Sequence, residues 1–321
     1  MKLFRPLVCF ALAAFAGGAA AETYPSKPVK LIVAFTPGSA TDIIARLAAD
    51  SFSRSMGQSF IVENKPGAGG IVGTEAAKNA PPDGYTLTAC PSGPFAINPG
   101  IYSKLPYDPI RDFEPISNLV LTPQVIVVGA QTPYKTLKEL VDDAKKKPGE
   151  IAYGSLGTGS TSHLTMEAFQ QQAGIKMNHI PFKGGAEAQT QIMGGAFPVM
   201  SDTISGVLAQ VKAGRLRPLG VAIPKRSPYI PDVPTIAEQG FKGFESVGWI
   251  GLCAPAKTPA AILDKLNAEV KKFIASAEAK DKMQQGAFTP VGDSRAEFAA
   301  WIKSEIAKWS RVAKESGAKA D

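Results

Sequence analysis

Histidine and cysteine are nearly absent from this chain, with two and three residues among 321. A metal site needs His, Cys or carboxylates clustered at ligand spacing, and neither His163 nor His179 has such neighbours in the sequence. No metal and no cofactor is expected. A serine hydrolase needs a nucleophile served by a general base, and no Gly-x-Ser-x-Gly elbow precedes a helix. The stretch 154–162 lacks the Gly-Lys-Ser/Thr ending of a phosphate-binding loop, and the glycines and later acid of a dinucleotide fold do not line up. No catalytic residue is assigned, and the chain reads as a non-enzyme. Long apolar runs are missing as well: none reaches the roughly 20 residues that a membrane helix needs. Basic residues form one block, Lys145-Lys146-Lys147, at the end of an expected helix where cations complement the dipole, so no nucleic-acid partner is expected.

What is present begins with a basic start, Met1-Lys2-Leu3-Phe4-Arg5, a short apolar stretch over 7–15 and Ala19-Ala20-Ala21. This is the pattern of a secretory signal, with cleavage expected after Ala21 and an exported, periplasmic product. Cys9 precedes that cut without the pattern of a lipoprotein site, so no lipid anchor is expected. Loss of Lys2 and Arg5 takes the formal charge from +7 to +5, spread over isolated lysines. Such a surface suits an anionic small ligand, although net charge speaks mainly to solubility and encounter. Cys90 and Cys253 remain. Export permits a disulfide between them, and the apolar, strand-like run around each is equally compatible with two buried thiols.

Three segments organise the rest: Phe35-Thr36-Pro37-Gly38-Ser39-Ala40-Thr41-Asp42, Gly154-Ser155-Leu156-Gly157-Thr158-Gly159-Ser160-Thr161-Ser162, and Met200-Ser201-Asp202-Thr203. The first two each join an apolar strand to a helix through a turn rich in glycine and hydroxyl residues. A backbone without Cβ bulk that ends in a helix N-terminus offers unpaired N–H groups and a partial positive charge, which suit a carboxylate or phosphate. Two such turns far apart in sequence suggest two lobes gripping one anion.

Apolar periodicity alternates strand and helix, which argues for an α/β chain with a mainly parallel sheet covered on both faces. Strands are expected at 29–35, 60–63, 85–90, 124–129, 151–155, 177–182, 197–201, 218–223 and 245–253, with a loop at 91–99. Helices are expected at 41–56, from the box Thr136-Leu137-Lys138-Glu139, from near His163 to Ala173, at 203–213, at 260–275 and from the box Ser294-Arg295-Ala296-Glu297. A further cap signature lies at 232–238. Two crossings, near 121–124 and 245–250, make the first domain discontinuous, over 22–122 and 250–321, with 123–249 as an inserted second domain. Such a chain can close like a hinge.

The chain resembles the substrate-binding proteins of tripartite tricarboxylate transporters, the Bug family of periplasmic receptors. The resemblance is carried by Tyr24-Pro25-Ser26-Lys27-Pro28, the Phe35–Asp42 segment, Glu63-Asn64-Lys65-Pro66-Gly67-Ala68-Gly69-Gly70, Asp83-Gly84-Tyr85-Thr86-Leu87, the run from Gly154 to Leu164, Ile180-Pro181-Phe182-Lys183-Gly184 and Gly248-Trp249-Ile250-Gly251-Leu252. It implies a two-lobed Venus flytrap fold of the type II-like kind, a small carboxylate between pincer loops, and delivery to a membrane permease. Where the family commonly has Pro-Gly-Gly, this chain has Pro37-Gly38-Ser39, which adds a hydroxyl and a Cβ at the pincer tip.

On these grounds the ligand-binding candidates are Phe35, Gly38, Ser39, Thr41, Ser92, Ala96, Ser155, Thr158, Gly159, Ser160 and Asp202. Each has a plainer structural reading. Ser39 or Thr41 would cap the first helix, and Ser155 to Ser160 would form an ordinary capped strand–helix turn. Asp202 would cap the next helix, and as an anion it must face some part of the ligand other than a carboxylate. Asp42 reads as a first-turn helix anion and Trp249 as core. The expected function is a monomeric extracytoplasmic receptor for a small organic anion. The alternatives are a ligand-loaded sensor signalling to a membrane histidine kinase and an exported hydrolase using Ser155 or Ser160 with His163.

Overall fold

The computed structural model describes residues 24–320; the signal segment expected over 1–21, with Cys9, lies outside the described residues. The chain runs β1 (Val29–Val33), α1 (Ala40–Met56), β2 (Phe60–Asn64), α2 (Ile71–Lys78) and β3 (Thr86–Pro91), then a π-helical turn (Gly93–Ile97) that leads into the short α3 (Asn98–Ile101). The long β4 (Phe113–Gly129) follows, with α4 (Leu137–Lys146), β5 (Ala152–Ser155), α5 (Thr161–Ala173), β6 (Asn178–Pro181), α6 (Gly185–Met193), β7 (Val199–Thr203), α7 (Ile204–Lys212) and β8 (Leu216–Val221). The remainder is β9 (Val247–Pro255), α8 (Ala260–Ala275), α9 (Ala277–Gln285), β10 (Thr289–Pro290) and α10 (Arg295–Ser316).

Helix ends follow local chemistry. Ser39 accepts from the Asp42 N–H to open α1, which stops at Gly57 in the left-handed region, φ 70°. Both sequence-read capping boxes are formed, Thr136 with Glu139 on α4 and Ser294 with Glu297 on α10. Thr235 and Glu238 also exchange bonds, but only a single 3-10 turn follows, Ala237–Gln239.

Two sheets share β4. In the first, β2, β1 and β3 run parallel, while β9 is antiparallel to β3 and residues 113–123 of β4 are antiparallel to β9. In the second, residues 124–129 of β4 pair antiparallel with β7 and β8, and β5 is parallel to β6 and β7. The central antiparallel strands make the sheets mixed, which corrects the expectation of a mainly parallel one. The partner of β4 changes between Pro123, opposite Val247, and Gln124, opposite Thr203. Proline has no N–H to give the ladder, so a change of partner is tolerated there. The chain returns to the first sheet at Val247, next to Ser246, whose N–H and C=O bond to Ala222 and Gln124 of the second.

The cores are separate on the outer faces. Phe52 of α1 packs with Phe60 and Phe273 over the first sheet, and Leu140, Tyr153 and Phe169 pack over the second. They meet on one side: Leu164 of α5 is buried among Phe95, Ile97, Trp249, Phe298 and Trp309. Trp249 is core, as its plainer reading had it. Cys90 and Cys253 form a disulfide, Cα–Cα 5.9 Å, which ties β3 to β9 inside the first sheet. The alternative of two free thiols is thereby set aside.

The structure adds α9, β10 and the first half of β4, and it makes the expected 91–99 loop largely helical. Register shifts at Pro115/Ser117 and Asn118/Val120 break the period of two that identifies a strand. The composition Gly93-Pro94 reads as a turn, whereas Phe95, Ala96 and Ile97 are buried and hold the segment in helical form.

Candidate functional site

β5 ends at Ser155 and α5 begins at Thr161, so the turn between them hangs on two rigid elements. Its hydrogen bonds run mostly inward. Ser162 Oγ accepts from the Leu156 N–H at 2.8 Å, and Ser160 Oγ donates to the Gly157 carbonyl at 2.6 Å while capping α5 through the His163 N–H. The Gly159 N–H donates to His163 Nδ1 at 3.3 Å. Ser155, fully buried, meets His179 Nε2 at 2.6 Å through its hydroxyl and exchanges bonds with Gly157. The N–H groups of Thr158, Thr161 and Ser162, with the Thr158 hydroxyl, have no partner among the described residues. First-turn helix amides lack intrahelical acceptors, so Thr161 and Ser162 keep their donors for something outside the helix.

The two histidines, neither of which has ligand-type neighbours in the sequence, are stacked on each other at 3.9 Å with an 11° interplanar angle, and Tyr153 stacks on His179 at 4.9 Å. Glu167 accepts from the Tyr153 hydroxyl and lies 3.9 Å from His163 Nε2. Burial pushes His163 down to about 3, with His179 adding to the shift, and burial likewise pushes His179 down to about 4. Both rings are therefore neutral at ordinary pH. Among the described residues no group of three or more His, Cys, Asp or Glu is placed to hold a metal. The hydrolase alternative joined Ser155 or Ser160 to His163. Ser155 pairs instead with His179, no carboxylate is described on that ring, and the hydroxyl is enclosed.

The first pincer is pinned by Asp42. Its carboxylate accepts from the Gly38 N–H at 2.9 Å, from Arg46 Nε at 3.0 Å and from Asn64 Nδ2 at 2.8 Å. Burial acts to raise its pKa, but the bonds to Arg46, Gly38 and Asn64 outweigh it and hold the carboxyl below its usual range. Gly38 thus spends its N–H on Asp42. Ser39 is the cap, yet among the described residues neither its hydroxyl proton nor the Thr41 hydroxyl has a partner. Phe35 stands next to Gly70, where an added Cβ would lie 3.3 Å from the Phe35 ring and 2.6 Å from Pro94.

Residues 92–101 pack against the 155–162 turn. Ser92 Oγ bonds Thr161 Oγ1 at 2.9 Å, joining the two sheets' loops directly. Gly159, φ 78°, comes so close that a Cβ there would lie 2.3 Å from Ile101 Cδ1. The left-handed backbone favours glycine there, and any Cβ would also have to displace the tip of Ile101. Ala96 is buried with its neighbours and presents no side-chain surface. Asp202, 2 % exposed, accepts from Gln189 Nε2 at 3.0 Å and from the Thr203 N–H at 2.6 Å; burial lifts its pKa to about 6. Thr203, not Asp202, caps α7.

The sequence reading missed a buried, uncharged polar floor where the sheets meet. Thr165 Oγ1 bonds Ser246 Oγ at 2.5 Å, Ser201 Oγ bonds Gln124 Oε1 at 3.3 Å, and Thr122 Oγ1 and Ser92 Oγ both lie against the bare Cα of Gly248. These residues are scattered along β4, α5, β7, β9 and the connections at Ser92 and Ser246, and carry no local motif. Only their shared position at the Pro123/Gln124 change of sheet marks them.

The sequence pattern of the tripartite tricarboxylate transporter family receptors matches residues 44–318. The chain belongs to that family. Among its relatives is Protein BugT of Bordetella pertussis, 34% identical over 313 residues, covering 97% of this chain and 96% of that one. Two solved receptors of Rhodopseudomonas palustris superpose along nearly their whole length. Rpa4515 with adipate has a TM-score of 0.86 at 34% identity, covering 92% of this chain and 98% of that one. MatC with bound malate has a TM-score of 0.83 at 28% identity, covering 90% and 99%. The family fold is that of the two-lobed periplasmic binding proteins, as the resemblance implied.

Proposed function

We propose that this family receptor works in the periplasm as a monomer without enzymatic activity, holding a small organic carboxylate and handing it to membrane permease subunits. The first lobe comprises 22–122 and 250–321 and the second 123–249. The ligand sits between the 35–41 turn and the 155–162 turn, over the polar floor. Adipate and malate, the acids bound by the two relatives, set the chemical class. One observation carries the reading: Thr158, Thr161 and Ser162 keep unspent donors on a turn that already touches the opposite wall through Ser92 and Gly159. Recognition by uncharged donors is strengthened when closure removes water. Ser39 adds a donor at the tip, Thr41 a second, Phe35 an apolar side and Asp202 an acceptor for a hydroxyl or ammonium away from the carboxylate.

The test is a thermal-shift panel of dicarboxylates, including adipate and malate, with tricarboxylates, amino acids and aromatic acids. A ligand at a hundred times its dissociation constant adds about 2.7 kcal/mol of stability. At least one acid should raise Tm, with calorimetry showing one site per chain. The reading is overturned if no acid does so, or if Thr158→Ala, which removes the one unspent side-chain donor of the turn, leaves the affinity unchanged.

A further inference from the structure

The stacked histidines lie behind the ligand turn and touch it twice, a role that recognition of the anion leaves unassigned. His163 Nδ1 accepts the Gly159 N–H. An acceptor nitrogen cannot also carry a proton, so the ring proton of His163 belongs on Nε2. That atom faces Glu167, 3.9 Å away, and Glu167 is itself held by the Tyr153 hydroxyl and by Gln170 Nε2 at 3.1 Å. The groups facing the pair are therefore Tyr153 from β5 and Glu167 from α5, with each histidine facing the other from α5 and β6. At the second contact, His179 Nε2 holds the Ser155 hydroxyl, which bonds both N–H and C=O of Gly157. Gly157 and Gly159 flank Thr158, the residue whose amide and hydroxyl are unspent.

We propose that His163 and His179 are positioning residues, stacked imidazoles that lock Gly159 and Gly157 so that the Thr158 amide and hydroxyl stay turned toward the ligand. The rings reach the ligand only through the turn. Glu167 and Tyr153 act one step further back by selecting the Nε2–H form of His163. The proposal rests on the carboxylate-receptor reading for its consequence in affinity, while the locking itself is separately observable.

The experiment compares His163→Phe, which keeps a flat ring and removes the acceptor, with His163→Asn, whose amide oxygen can replace Nδ1. His179→Phe and His179→Gln form the second pair. Hydrogen exchange of the Gly159 amide at neutral pH is followed by NMR, and affinity for adipate and malate by calorimetry. In His163→Phe the amide should exchange about tenfold faster or more and affinity should fall about fivefold to tenfold, the loss of roughly one hydrogen bond. His163→Asn should restore both, and His179→Gln should outperform His179→Phe. Equal exchange and affinity in the Phe and Asn variants would overturn the proposal. Should the Phe variant fail to fold, the ring nitrogens of the wild-type protein decide: a proton found on His163 Nδ1 at neutral pH is incompatible with the lock. If neither acid binds the wild-type protein, that outcome counts against those acids as ligands, and the amide exchange still judges the histidines.

Discussion

At the scale of single residues, the structure separates side chains that face a ligand from those that hold the facing ones in place. Ser155 is enclosed and bonded on all sides, whereas Thr158 is bonded to nothing described. Thr158→Ala should therefore weaken ligand affinity by about 1 kcal/mol with little change in unfolding free energy, and Ser155→Ala should cost about that much in stability. Calorimetric titration beside urea unfolding checks both. The buried titrating groups act in opposite directions with pH. His163 and His179 have folded pKa values of about 3 and 4, below the ordinary 6.5, so the unfolded chain takes up protons first as pH falls. Their contribution to stability is present above 6.5 and is lost as pH drops toward 4 and 3. Asp202, raised to about 6 from 3.8, contributes stability that is present below 3.8 and is lost as pH rises through 6. Unfolding measured between pH 4 and 7 should show Asp202→Asn gaining on the wild-type protein as pH rises. The double variant His163→Asn, His179→Gln should lose less stability than the wild-type protein as pH falls over the same span.

At the scale of elements, helices opened by a capping box or by a proline start were readable, but a lone cap was not always enough, since Ser276 caps α9 and that helix was missed. α4 and α10 carry their boxes in the sequence, and α8 was placed at its observed bounds, opened after Pro259. The first half of β4 was lost because two bulges disrupt its alternation, and 93–101 because glycine and proline mask a buried helical turn. The same division holds at the site. The 154–162 turn announces itself through glycine and hydroxyl residues in a row, but the pairing of Ser155 with His179 spans 24 residues and the Thr165–Ser246 bond spans 81, beyond any local pattern. Ser39 lies between the two cases, since one side chain both caps α1 and stands at the pincer tip. Replacement resolves its roles. Glycine is nearly as good a cap as serine, costing a few tenths of a kcal/mol, whereas alanine costs about 1 kcal/mol. Ser39→Gly should therefore leave Tm almost unchanged, and a fall in affinity in that variant would belong to the lost hydroxyl alone. An unchanged affinity would confine Ser39 to capping.

At the scale of the whole molecule, the disulfide and the interlobe contact stabilise different things, and this separates folding from closure. The Cys90–Cys253 bond joins two neighbouring strands of one sheet and does not cross from one sheet to the other. It constrains the unfolded chain across 163 residues, so removing it by Cys90→Ala with Cys253→Ala should cost about 2–4 kcal/mol of stability. Because no part of it lies on the Ser92–Thr161 or Gly159–Ile101 contacts, ligand affinity below Tm should stay within about twofold of the wild-type value, a difference smaller than one ordinary hydrogen bond. Gly159→Ala is the converse change. Its Cβ would lie 2.3 Å from Ile101 Cδ1, the movable tip of a side chain, so either that tip or the turn must shift, and the backbone at φ 78° strains the turn in any case. Each sheet keeps its own core in that variant, so the lobes should fold while docking poorly. Small-angle scattering should then give a larger radius of gyration for Gly159→Ala than for the wild-type protein, with affinity for any bound acid falling at least tenfold, about 1.4 kcal/mol. A Gly159→Ala protein as compact and as tight-binding as the original would mean that the contact between this turn and α3 has no part in closing the receptor.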